Sequence, residues 1–358
     1  MDHIRHWAPK RALIAAFVLA AGTIPATTLV AAQGRFSARP VAAVPRALAR
    51  AAETGIGPVE AEMRNVDYRV DDKVTLKIEY LRGALRNTRP NEAPWFDDPT
   101  SFDIAIDSAR VSITPQSLTA MLNTYVFNYP GSDIKKLEVK IEGNQLVQTG
   151  VLDKAINLSF RIKSNISVTP DGRLRLHPTN VRVAGLGVRG LMNFFGIELQ
   201  NMVKVKGGRG VEVEKDDFLL SVESLLPPPR IKARVRSVQV ANGLVLQTLM
   251  GATPRTVPRM TPATNARNYM LYQGRVLRFG KLTMNATDLQ IVDGDQSDPF
   301  DFFLGKLNDQ LVAGTSRNLR DYGLLTTMPD YGDIAARTTR TSTGTVAPKP
   351  ATSAAKKP

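Results

Sequence analysis

Four aspartates gather near the C-terminal end of the sequence: Asp293, Asp295, Asp298 and Asp301, spaced around Gly294 and Pro299. Grouped carboxylate oxygens suit a hard cation such as calcium. Two carboxylates at the right separation suit glycoside hydrolysis. The EF-hand spacing is not met, because its glycine would follow the third ligand and no matching Glu closes the loop. Aspartates are also ordinary turn formers, and a surface turn is the preferred reading. A carboxylate-dependent hydrolase of envelope polymers stands as the third functional alternative, since the carboxylate separation decides it.

The other catalytic parts are scarce. The chain has three His and no Cys. His3 and His6 lie in an N-terminal export-like segment, and His177 precedes Pro178 at a strand end, where a solvated turn residue is expected. A Ser-His-Asp triad would have to use His177, and no Gly-x-Ser-x-Gly elbow is present. Without Cys there is no thiol nucleophile and no thiolate metal site. Gly185-Leu186-Gly187 with Gly190 matches a dinucleotide fingerprint in spacing, but the alternating strand–helix context that the fingerprint needs is missing. The sequence therefore predicts a non-catalytic protein with no cofactor and no metal.

Chemistry of another kind is suggested by charge. The chain of 358 residues carries a formal net charge of +14. Arg161 and Lys163 share one strand face, and Arg173 and Arg175 share the next. Arg230, Lys232, Arg234 and Arg236 alternate on a third, after Pro227-Pro228-Pro229. Such faces attract anionic partners over long range, and each cation beside an anionic membrane contributes on the order of 1 kcal/mol. Strand exteriors also carry Lys and Arg for solubility and edge protection. Export argues against nucleic acid as the partner.

The elements that must position these residues are mostly strands. Val66, Tyr68 and Val70, then Val74, Leu76, Ile78 and Tyr80, alternate around Asp71-Asp72 and predict a hairpin. Leu137, Val139 and Ile141 approach Gly143-Asn144 and continue at Leu146, a second hairpin. Residues 156–168 place Ile156, Leu158, Phe160, Ile162, Ile166 and Val168 on one parity, a strand of roughly 40 Å at about 3.3 Å per residue. Asp171-Gly172 turns it into Leu174 and Leu176. Asn242-Gly243 is a strong two-residue turn signal. Later strands are predicted at Leu277–Phe279, Leu282–Met284 and Leu289–Ile291.

Two segments have helical period instead. Thr114 suits a cap and Pro115 the first helical position. Leu118, Met121, Leu122, Tyr125 and Val126 then share a face until Tyr129-Pro130-Gly131. Val188, Leu191, Met192, Phe195, Leu199, Met202 and Val203 form a second face that ends at Gly207-Gly208. The fold class predicted is α+β and β-dominated: a long, strongly curved antiparallel sheet wrapped around amphipathic helices, with a C-terminal β-rich extension.

The chain divides into five parts. Residues 1–32 read as a signal peptide, with Arg5, Lys10 and Arg11 before the apolar run 13–21 and small residues at Val30-Ala31-Ala32. An uncleaved anchor is the rival reading. Residues 33–60 read as a linker. Residues 61–332 form a single domain, with a core over 100–250 and an extension over 252–332. Residues 333–358 lack apolar periodicity and are expected to be a disordered basic tail.

Val111-Ser112-Ile113-Thr114-Pro115-Gln116-Ser117-Leu118, the strand pair from Leu152 to Val183 with its Thr169-Pro170-Asp171-Gly172-Arg173-Leu174 turn, and Val181-Arg182-Val183-Ala184-Gly185-Leu186 stand in a familiar order. With Gly210-Val211-Glu212-Val213 and Leu226-Pro227-Pro228-Pro229-Arg230-Ile231, this stretch resembles bacterial tubular lipid-binding (TULIP) proteins, in particular the LmeA-like exported phospholipid binders. The resemblance covers about residues 100–250 and is one of element order. It implies a curved sheet around a long helix with a groove for acyl chains. Residues 252–332 depart from the pattern.

The expected groove residues are Leu118, Leu122, Phe160, Ile162, Leu191 and Phe195. The expected contacts for an anionic headgroup or membrane surface are Arg230, Lys232, Arg234 and Arg236. The expected cargo is a lipid or another hydrophobic small molecule, in the periplasm or outside the cell. A fully packed structural protein of the envelope is the alternative.

Overall fold

Alternation of apolar and polar residues is the dominant pattern, and it folds into strands. The computed structural model describes residues 55–153, 157–184, 210–215, 217–253, 255 and 259–335. Among them, two large sheets account for most of the regular structure, and neither closes into a barrel.

The larger sheet grows outward from one hairpin. β1 (Val59–Arg69) and β2 (Thr75–Asn87) pair antiparallel, from Arg69 opposite Thr75 to Val59 opposite Leu85. The turn is held by Asp71, whose Oδ1 accepts from the backbone N–H of Lys73 and of Val74 at 2.7 and 2.8 Å. β3 (Phe102–Ile113) follows β2, β12 (Leu244–Met250) follows β3, and β11 (Arg234–Ala241) forms the edge. Asn242 and Gly243 join β11 to β12 with φ of 54° and 72°, the doubly positive pair of a tight hairpin turn. A short β10 (Ile231–Lys232) runs parallel to β3.

Beyond β1 the same sheet continues through β13 (Tyr269–Gly274), β16 (Thr287–Asp293), β19 (Leu324–Met328) and β18 (Thr315–Asn318). β17 (Phe300–Phe303) pairs parallel with the end of β1. β14 (Leu277–Phe279) and β15 (Leu282–Met284) make a separate two-stranded ribbon. The C-terminal extension is therefore not an appendage: its strands complete the sheet that β1 begins. Every residue of β16 is buried, as expected of a strand covered on both faces. A small second cluster of Met260, Tyr269, Leu271, Val292 and Leu325 covers its far side.

The smaller sheet is wholly antiparallel: β4 (Ile134–Glu142), β5 (Gln145–Asp153), β6 (Asn157–Val168), β7 (Leu174–Val183), β9 (Asp217–Leu220) and β8 (Val211–Glu214), with β9 between β7 and β8. The turn at Gly143-Asn144 and the turn at Asp171-Gly172 stand where the sequence put them. The sheets meet at an edge, where the Val235 N–H of β11 donates to the Gly172 carbonyl at 2.9 Å. One apolar core runs through both.

Helices are few among the described residues. α1 (Pro115–Met121) starts as expected, the Thr114 hydroxyl accepting from the Ser117 N–H. It then widens into a π-turn over Leu122–Val126. α2 (Val222–Leu225) and α3 (Leu307–Ala313) are short. No helix here is long and apolar enough to cross a membrane. The second helix expected from periodicity, with Leu191 and Phe195, lies outside the described residues, as does the signal segment.

Two boundaries differ from expectation. The linker expected over 33–60 ends inside β1, which begins at Val59. The tail expected to lack structure from residue 333 opens with a helical turn over 331–335, which Tyr331 anchors edge-on to Phe303, ring centroids 5.0 Å apart.

Candidate functional site

The inward faces of the two sheets do not close on each other completely. A cavity of ≈ 1010 Å³, its open mouth included, lies between β2, β3 and β12 of the larger sheet and β4 to β7 and β9 of the smaller one. α1 closes part of it through Leu118, Met121 and Leu122, and α2 contributes Val222 and Leu225. Its lining is Leu, Ile, Val and Met, broken only by Gln148 and Gln247. A second cleft of ≈ 680 Å³ shares Leu76, Ile78, Leu81, Leu226 and Ile231 with the first. It continues along Pro227–Pro229 to Arg69, Leu304 and Gly305.

The strand period explains why this wall is apolar. On β12, Val245 and Leu249 are buried on the parity that also holds Gln247. On β5, Leu146 and Leu152 are buried on the parity of Gln148. Each sheet thus spends one inward position on an amide. Both were missed in the sequence, although a polar residue on an apolar parity is a visible signal.

Of the expected groove residues, Leu118 and Leu122 line the cavity. Phe160 and Ile162 are buried but line neither cleft. The ring of Phe160 covers Gly150, where a Cβ would come within 2.6 Å of it, so this phenylalanine packs the strand pair. Ile166, Leu174 and Leu176, nearer the β6–β7 turn, reach the cavity instead. Leu191 and Phe195 lie outside the described residues.

The basic quartet is exposed and alternates as expected. Arg230, Lys232, Arg234 and Arg236 face solvent, while Ala233 and Val235 are buried and Ile231 lines both clefts. Lys232 approaches Glu223 at 3.9 Å. The three arginines have no ion pair among the described residues. The basic faces expected on β6 and β7 are different, because acids neutralise them. Arg161 and Lys163 both hold Glu142, at 2.5 and 2.7 Å, and these contacts keep its carboxyl below the usual range. Arg173 pairs with Asp171 and Glu212, and Arg175 stands 3.8 Å from Asp217.

The aspartate cluster is structural in its bonding. Asp293 is buried in the sheet, where desolvation raises its pKa. Its Oδ2 accepts from Asn268 at 3.0 Å and its Oδ1 from the Asp295 N–H at 2.9 Å. The Asp298 carbonyl also accepts from Asn268. Asp301 holds Arg69 through two bonds of 2.5 and 2.7 Å. Asp330 donates no charge to a cation here: burial among Asp293, Asp298 and Asp301 pushes its pKa up to about 7, against the backbone N–H of Asp301 that favours its ionised form. No group of three or more acidic or imidazole side chains among the described residues is arranged to hold a metal. His177 is exposed, with Nδ1 2.7 Å from Asp217 Oδ1.

Comparison of the chain with protein-family models, with curated proteins and with solved structures gives no match.

Proposed function

We propose that the protein is an exported, non-catalytic binder of a lipid or similar aliphatic molecule, held between the two sheets. The observation that carries the reading is the cavity. Among the described residues it presents 21 aliphatic side chains and two amides to its interior, and no charged side chain. Aliphatic side chains that face open space lack the dispersion contacts that close-packed interiors make. An acyl chain recovers them and removes its own apolar surface from water, at roughly 25 cal/mol per Å².

The export-like N-terminal segment supports delivery outside the cytoplasm. The arginines of the quartet, without an ion pair among the described residues, support contact with an anionic membrane during loading or release, and Ile231 beside them lines the cavity. The tubular curvature and second helix implied by the TULIP resemblance belong to this proposal.

Native mass spectrometry of the protein purified from its own host without detergent tests it. The expected spectrum carries a mass excess of one or two lipids that disappears on denaturation. A bare polypeptide that also takes up no lipid from added vesicles overturns the proposal in favour of a packed envelope scaffold.

A further inference from the structure

The two glutamines say more about the ligand than the aliphatic wall does. Gln148 stands on β5 opposite Val139 and Ile162, and Gln247 on β12 opposite Val111 and Val238. Both occupy inward positions flanked on their own strands by buried aliphatic residues. Each belongs to a different sheet, yet they line one cavity. Both glutamines are half-buried, and an amide placed on an apolar wall costs free energy unless it finds a partner.

Their bonding is incomplete in a specific way. The buried Ser164 hydroxyl donates to Gln148 Oε1 at 3.2 Å. That contact anchors the amide by its oxygen, which keeps a second acceptor position, and Nε2 has no protein acceptor among the described residues. The Gln247 side chain has no hydrogen bond among them either. The cavity therefore holds an anchored amide with an N–H donor to offer on one wall and an adaptable amide on the other.

What the lining omits is equally informative. Among the described residues no Lys, Arg or His lines the cavity, so a carboxylate or phosphate drawn inside would lose its hydration with no counter-charge from them. No aromatic ring among the described residues lines it either, since their core phenylalanines gather elsewhere, around Phe96 with Phe102 and Phe279. A flat polycyclic ligand would find no ring face to stack on.

We infer that the ligand is an uncharged acyl ester, its aliphatic chain in the cavity and its ester carbonyl oxygen accepting from Gln148 Nε2, with Gln247 completing the polar contact. The inference rests on the lipid-binding reading above and narrows it. Free fatty acid anions and pure hydrocarbons are the weaker ligands, the first for want of a counter-charge and the second for want of an acceptor.

The test is displacement of the uncharged dye Nile red from the full chain by methyl laurate, laurate and dodecane. Methyl laurate is expected to displace the dye at least about fivefold more tightly than dodecane, the scale of one net hydrogen bond, and more tightly than laurate. Gln148→Met is expected to remove the preference for ester over dodecane while dodecane itself still displaces the dye. Gln247→Met, which disturbs no protein hydrogen bond, is expected to reduce that preference in part. Equal displacement by ester and hydrocarbon, or an ester preference that survives both substitutions, overturns the inference and leaves lipid binding standing. Failure of the dye and all three probes to bind overturns both.

Discussion

Asp330 shows how one side chain couples this fold to pH. Its Oδ1 accepts from the Asp301 N–H at 2.7 Å, so the carboxyl is held in place whether or not it is ionised. Burial and the nearby Asp293, Asp298 and Asp301 raise its pKa from 3.8 to about 7. A carboxyl whose folded pKa lies above its unfolded value binds more protons when folded. Its contribution to stability is therefore present below about pH 4 and is lost as pH rises from there to about 7. Asp330→Asn keeps an acceptor for Asp301 and removes the charge. The variant should be more stable than the parent at pH 8, by about 1 kcal/mol after allowance for solvent screening, and close to it at pH 4. Denaturant midpoints at the two pH values measure this, and an equal shift at both would show that ionisation is not the cause. Arg69 is the neighbour to watch, because its ion pair with Asp301 lies at the end of the second cleft.

At the scale of elements, β2 and β3 carry an irregularity that the chain accommodates with a glycine. The register slips between Arg82 and Gly83, and a Cβ at Gly83 would stand 2.2 Å from the Ala105 carbonyl oxygen. Gly83→Ala should therefore push apart two central strands and cost about 2–4 kcal/mol, above the usual range for a single substitution. Thermal or denaturant unfolding reads it directly, and a cost under 1 kcal/mol would mean that β3 shifts without resistance. This bulge was not legible in the sequence, because it depends on which strand lies opposite. The hairpins were legible, since turn and pairing are local: Asp71-Asp72, Gly143-Asn144, Asp171-Gly172 and Asn242-Gly243 all stand between the strands expected. The parallel pairs β1–β17 and β16–β19 were not, because nothing in the local pattern of Phe300–Phe303 or Leu324–Met328 names a partner far away in sequence. The candidate site divides along the same line. Apolar parity marked Leu118, Leu122, Phe160 and Ile162 as inward, but only the spacing between sheets decides that the first two face a cavity and the last two are buried away from it, Phe160 against Gly150. Gln148 and Gln247 broke the parity in plain view, and their meaning appears only once both are seen on one cavity.

For the whole molecule, the question is where its charge acts. A formal net charge of +14 spread evenly would serve solubility alone. The ion pairs make it uneven. On the smaller sheet, Glu142, Asp171, Glu212 and Asp217 meet the arginines and lysines beside them. Toward the edge of the larger sheet, Arg230, Arg234 and Arg236 meet no acid among the described residues, and Arg230 adjoins Ile231 on the cavity wall. If this edge is where the molecule touches a membrane, binding should need anionic lipid and should weaken steeply with salt, because exposed charges are screened beyond about 8–10 Å at physiological ionic strength. With each arginine worth on the order of 1 kcal/mol at an anionic surface, Arg230→Gln, Arg234→Gln and Arg236→Gln together should lower affinity for phosphatidylserine-containing vesicles by up to about 100-fold. Arg161→Gln, which removes a cation already paired, should change it little. Vesicle co-sedimentation across a salt series separates the cases. A triple variant that still sediments like the parent would move the membrane contact elsewhere, and parent protein that binds neutral vesicles as well as anionic ones would assign the contact to apolar surface. Loss of vesicle binding with Nile red uptake intact would separate the two activities along residues 230–236, the arginines of that stretch outward and Ile231 inward.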